Sequence, residues 1–141
     1  MTGFTTKSTV LTHTAVLEML RAAVACAEGA QQPQCIVIVD ASGEPLGEIR
    51  MTGAKFLSRH SARAKARTAA SIGAHSDAIP DAVRPAIAAA TQGQVTGLGG
   101  GLPIRVQGVL VGGIGVGSGS PDQDIAVARA ALVAIGADPQ N

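Results

Sequence analysis

The chain has 141 residues, a formal net charge of +1 and a 46% hydrophobic fraction, with two Phe and no Trp or Tyr. That length suits one domain with an aliphatic core, and near-neutral charge without aromatic stacking residues excludes a general nucleic-acid surface. No apolar run reaches the roughly 18 residues of a membrane span and no basic-then-apolar leader opens the chain, so a soluble cytoplasmic protein without membrane partners is expected.

Residues 1–10 are polar and Thr-rich without periodicity, and read as a flexible lead to a single domain over 11–136, with 137–141 as a tail. From Ala15 onward, Val16, Leu20, Ala23, Val24 and Ala27 recur at helical spacing, with Thr12 or Thr14 as N-cap and Gly29 as the stop. CIVIVD (35–40) has the length and composition of a strand buried on both faces. The turn residues Ala41-Ser42-Gly43-Glu44 then lead into PLGEIRM (45–51) as the returning strand of an antiparallel hairpin. A second helix is expected over 56–72, ended by Gly73, and after a linker carrying His75 a short helix from Asp81 or Ala82 to about Thr91. Cys26 and Cys35 lack CxxC spacing and read as small buried hydrophobes rather than a disulfide.

The stretch 97–119 opens as a glycine cluster and continues as two apolar segments, LPIRV and VLVGGIGV, divided by Gln107-Gly108. Pro103 fixes its own φ and the flanking residues favour strands, so this is a second hairpin entered through a glycine-lined crevice. Gly112, Gly113 and Gly115 weaken the second strand intrinsically, which implies a helix or a ligand lying close against its backbone. Ser120-Pro121-Asp122-Gln123 then starts the last helix with an N-cap, a Pro at the first helical position and a capping box, and Ile125, Ala128, Leu132 and Ile135 form its expected buried stripe. Hairpins separated by helices define the α+β class, with an antiparallel sheet of about five strands flanked by the long helices.

In the second helix, Arg59, Arg63 and Arg67 repeat every fourth residue beside His60, as a solvated face or a contact for an anion or partner. Lys65 points instead among Leu57, Ser61, Thr68, Ala69 and Ile72. There it either snorkels along the sheet to water or holds its ammonium against an acid or a ligand. The candidate ligand site is the entry formed by Gly99, Gly100, Gly101, Leu102 and Pro103 facing Lys65, where backbone N–H groups and the ammonium would hold a carboxylate. The alternative is tight helix packing, with Lys65 paired to a structural acid such as Asp124. His13, His60 and His75 show no shared metal spacing, Ser118 lacks the GxSxG nucleophile pattern, and the glycines fit no phosphate-loop fingerprint.

KARTAA (65–70), GGGLPI (99–104) and VGGIGVGSGSPDQD (111–124), followed by a small-residue helix, resemble the haem-binding GlcG/HbpS-like family, to which the PduO C-terminal domain also belongs. The resemblance covers 11–132 and implies a profilin-like fold, frequent homo-oligomers and binding of a small-molecule ligand, with haem or a related tetrapyrrole bound by some members. Under that reading His13, His60 and His75 are the candidate iron ligands, beside Met19 and Met51. Under an enzymatic reading of the tautomerase, isomerase or hydrolase kind, Lys65 is the acid/base or anion-holding group. A purely structural oligomerising role is the third alternative.

Overall fold

The aliphatic run Cys35–Asp40 forms β1, almost wholly buried, and the other strands assemble around it. It pairs antiparallel with β2 (Pro45–Arg50) on one side and with β4 (Val109–Gly117) on the other, and β3 (Gly101–Val106) completes the sheet outside β4. The computed structural model describes residues 3–140, so the first two residues of the expected lead and the last of the expected tail lie outside the described residues. Residues 3–10 form no helix or strand and are exposed.

The strand order is β2-β1-β4-β3, four strands where about five were expected. The segment ahead of β3 is a connector rather than a strand: the Thr96 N–H donates to Thr68 Oγ1 on a helix at 2.9 Å instead of joining a ladder. Pro103 sits in β3, an edge strand, where a missing N–H is tolerated. The central position of β4, with Gly112, Gly113 and Gly115 in it, is as the apolar pattern predicts.

Helices cover both faces. α1 (His13–Gly29) starts one turn's half earlier than the periodicity alone suggests, because Thr12 is the N-cap, its hydroxyl accepting from the Ala15 N–H at 3.1 Å. α1 and α4 (Pro121–Ala134) lie side by side against one face, over Ile36, Ile38, Leu102, Ile104, Ile114 and Val116. The α4 capping box is complete, with Ser120 and Gln123 exchanging side-chain and backbone bonds. Its buried stripe is Asp124, Val127, Ala128, Ala131 and Leu132, whereas the expected Ile125 and Ile135 are only half-buried, since the helix turns Asp124 inward.

α2 (Phe56–Ile72) packs on the other face, ended by Gly73 in the left-handed conformation. Between α2 and β3 the chain makes two 3-10 turns, Ser76–Ala78 and Asp81–Val83, and then α3 (Arg84–Ala90), so the single short helix expected over 81–91 is split, with Pro85 in the first turn of its α-helical part. After α4, the Asp138 carboxylate accepts from the Gln107 and Gly108 N–H groups at 3.0 and 2.7 Å, and the Asp138 N–H donates to the Arg105 carbonyl at 2.8 Å. The last residues thereby clasp the β3–β4 turn.

Candidate functional site

The contact of α2 with β4 decides what surrounds Lys65. A Cβ on Gly113 would overlap the Ala66 carbonyl oxygen, and one on Gly115 that of Ala62, so the helix backbone rests directly on the strand. This approach requires small residues from the helix too, and Ser58, Ala62, Ala66, Ala69 and Ala70 are among its buried positions, while Leu57 and Ile72, expected to share the Lys65 face, are exposed.

Lys65 is 5% exposed, and its ammonium donates to the Val116 carbonyl at 2.8 Å and to Asp124 Oδ2 at 3.0 Å. Asp124 is equally buried, and its other oxygen accepts from the Gly119 N–H at 3.1 Å. Burial raises the Asp124 carboxyl above the ordinary carboxylate range, opposed by the Lys65 charge, by the bonds from Lys65 and Gly119 and by the Gln34 amide. Gln34 is fully buried beside this pair, close enough to act on the carboxylate, yet neither of its amide atoms completes a hydrogen bond of ordinary geometry.

The glycine entry and Lys65 do come into contact. Gly100 has a φ of +115°, and a Cβ there would lie 3.1 Å from Lys65 Nζ; a Cβ on Gly101 would overlap the Lys65 carbonyl. The Gly101 N–H donates to Ser76 Oγ at 2.9 Å, Ser76 Oγ donates to the Leu98 carbonyl at 2.6 Å, and the Gly100 carbonyl accepts from the Val116 N–H at 3.0 Å. Gly99 lies against the Asp77 side chain, and Leu102 and Pro103 are buried in β3. Sequence reasoning missed Gln34 and Ser76, which carry no periodicity or motif that would mark a buried polar residue.

The three histidines stay apart, and among the described residues no three His, Cys, Asp or Glu side chains converge as metal ligands. His13 is exposed at the start of α1, with exposed Val10 before it and exposed Leu17 one turn on. His60 is exposed on α2, edge-on to the Phe56 ring at 5.3 Å, and the Arg59 guanidinium stands 5.6 Å from the same ring. His75 is half-buried, with Nε2 enclosed and without a hydrogen-bond partner. Of the arginine stripe, Arg63 binds Glu48 on β2 at 2.8 Å and Arg67 Nε donates to the Gly43 carbonyl at 3.0 Å. Met19 is fully buried, and the Met51 sulfur accepts from the Gln34 N–H at 3.4 Å.

Against this geometry, a family model described as "Haem degrading protein HbpS-like" matches residues 11–133. The chain belongs to the HbpS-like family. Its α+β architecture recurs in the structure titled "Crystal Structure of PduOC:Heme Complex", 32% identical with a TM-score of 0.85 over 94% of this chain and 100% of that one. It recurs again in a double mutant of HbpS from Streptomyces reticuli, 34% identical with a TM-score of 0.84 over 95% of this chain and 92% of that one. The corrinoid adenosyltransferase PduO of Citrobacter freundii is 37% identical over 84% of this chain. This HbpS-like chain spans 37% of that protein's length. Among the described residues no helix is long and apolar enough to cross a membrane.

Proposed function

We propose that this HbpS-like chain binds haem or a related tetrapyrrole through a surface histidine. The observation that carries the reading is the haem complex of a like-folded domain, aligned over its whole length. The residues present fit the group. An imidazole nitrogen supplies an axial ligand, an aromatic ring stacks on a macrocycle, and a guanidinium pairs with a propionate. Phe56, Arg59 and His60 offer all three on one exposed turn, and His13 offers an imidazole between exposed aliphatic residues. Bound haem would supply iron chemistry at the surface, where the protein's part is to orient the ring and hold its carboxylates. A second copy of the chain laid over the exposed Phe56 and Leu57 would cover the open face of the ring, which supports a homo-oligomer in the bound state.

Haemin titration followed at the Soret band tests this. The expected result is a saturable shift that survives His75→Ala and is abolished when His13 and His60 are both replaced by Ala, with the single variants assigning the ligand. A wild-type protein that gives no saturable shift overturns the proposal, as does a shift indifferent to all three histidines.

A further inference from the structure

Away from the Lys65 cluster, a cleft of about 600 Å³ opens between the β1–β2 turn, α2 and the stretch that follows α3. That volume lies within the range of small-ligand sites. Its walls are fixed by their own hydrogen bonds. On the turn side, Asp40 Oδ1 accepts from the Ser42 and Glu44 N–H groups at 2.8 and 3.0 Å. On the opposite side, Thr91 Oγ1 donates to the Ile87 carbonyl at 2.7 Å and accepts from the Val95 N–H at 3.0 Å.

Four polar side chains reach this cleft: the Ser42 and Ser71 hydroxyls and the Gln94 amide, which make no hydrogen bond among the described residues, and the Arg67 guanidinium, of which only Nε is engaged. Arg67 is half-buried, and its Cγ lies 3.5 Å from where a Cβ on Gly43 would stand, so the stem is wedged under the turn. With Nε donating to the Gly43 carbonyl, the side-on approach to the guanidinium is closed, and the two terminal nitrogens remain as an end-on fork for a carboxylate. Glu44 lines the same cleft and forms no ion pair among the described residues. Its charge repels a dianion and favours a ligand whose far end carries a donor or a positive charge.

We propose that this cleft binds a small monocarboxylate bearing an amine or hydroxyl, with the carboxylate on the Arg67 fork, the donor end toward Glu44, and Ser71 and Gln94 bonding between them. The site is separate from the histidines proposed for haem and does not depend on them.

The test is an amide-resolved NMR titration of the full chain with L-alanine, acetate and inorganic phosphate. L-alanine is expected to give saturable shifts at Gly43, Glu44, Gln94 and Val95, with acetate at least tenfold weaker and phosphate weaker still. Glu44→Gln should bring L-alanine down to the level of acetate, and Arg67→Met should abolish both responses while leaving the haemin titration unchanged. Because Arg67→Met also removes the bond to Gly43, Arg67→Lys serves beside it, keeping the charge without the fork and losing the response all the same. Absence of saturation by L-alanine at tens of millimolar overturns the proposal. So do tightest binding of phosphate, or a response that persists in both Arg67 variants.

Discussion

The two faces of the sheet are built on opposite rules. Toward α1 and α4 the strands present Ile36, Ile38, Leu102, Ile104, Ile114 and Val116, large side chains that interdigitate with Met19, Val127 and Leu132. Toward α2 they present Cys35, Val37 and Val39 beside Gly113 and Gly115, met by Ala62, Ala66 and Ala70. One face is held by buried volume, at about 1.5–3 kcal/mol for each large aliphatic side chain. The other is held by proximity of backbones, and its stability lies in what is missing from the glycines. A core of the first kind tolerates small volume changes, whereas the second tolerates no added atom that points at a carbonyl.

The Lys65–Asp124 pair joins the two halves, since Lys65 belongs to α2 and Asp124 to α4. Breaking it gives the largest expected effect. Lys65→Met keeps the apolar stem but leaves the Asp124 carboxylate buried without its cation, and should lower unfolding free energy at neutral pH by about 3–5 kcal/mol. Chemical denaturation measures this, and a loss under about 1 kcal/mol would show that the halves are joined by packing alone. Next comes the contrast between the faces themselves. Gly115→Ala should cost about 3 kcal/mol or more by driving α2 off the strand, while Ile114→Val, its neighbour on the other face, should cost about 0.5–1.5 kcal/mol. Equal losses in the two variants would erase the distinction.

The buried pair also carries a pH dependence. Burial raises the folded Asp124 carboxyl, so its contribution to stability is fully present below the unfolded value of about 3.9 and is lost as pH rises through the folded value. Without the ammonium that opposes this rise, the loss continues to higher pH. The deficit of Lys65→Met relative to wild type should therefore be small near pH 4 and widen toward pH 7. A deficit constant across that interval would place the effect of Lys65 outside its charge.

Much of the frame was legible in the residues. Caps, glycine stops and the Ser120–Gln123 box located the three long helices, and the two apolar runs joined by turn residues located both hairpins. The glycines of β4 announced a close neighbour, and α2 is that neighbour. Hydrophobicity misled where small size decides burial: Leu57 and Ile72 lie outside, and Ser58 and Ala62 inside, because only short side chains fit against a glycine strand. Asp124 read, in one alternative, as a partner for Lys65; its inward turn enters the α4 stripe, where Ala128 and Leu132 are buried as expected and Ile125 and Ile135 only half-buried. Gln34 and Ser76 were illegible, since their burial follows from how distant segments meet. The Arg67 cleft was only half visible, the arginine as part of a stripe and Ser42 to Glu44 as a turn, with Gln94 in an unremarked linker.

The placement of α1 beside α4 has a consequence for how the molecule comes into being. Helix α1 has its main partner in α4, more than ninety residues later, the central strand β1 finds one of its two neighbours only in β4, and the β3–β4 turn is clasped by Asp138 after α4. Synthesis from the N-terminus therefore delivers α1 and the β1–β2 hairpin with one flank of the sheet bare and the aliphatic face of α1 uncovered. Long-range pairings of this sort are slow to close. During translation, that half-built layer stays uncovered until α4 arrives.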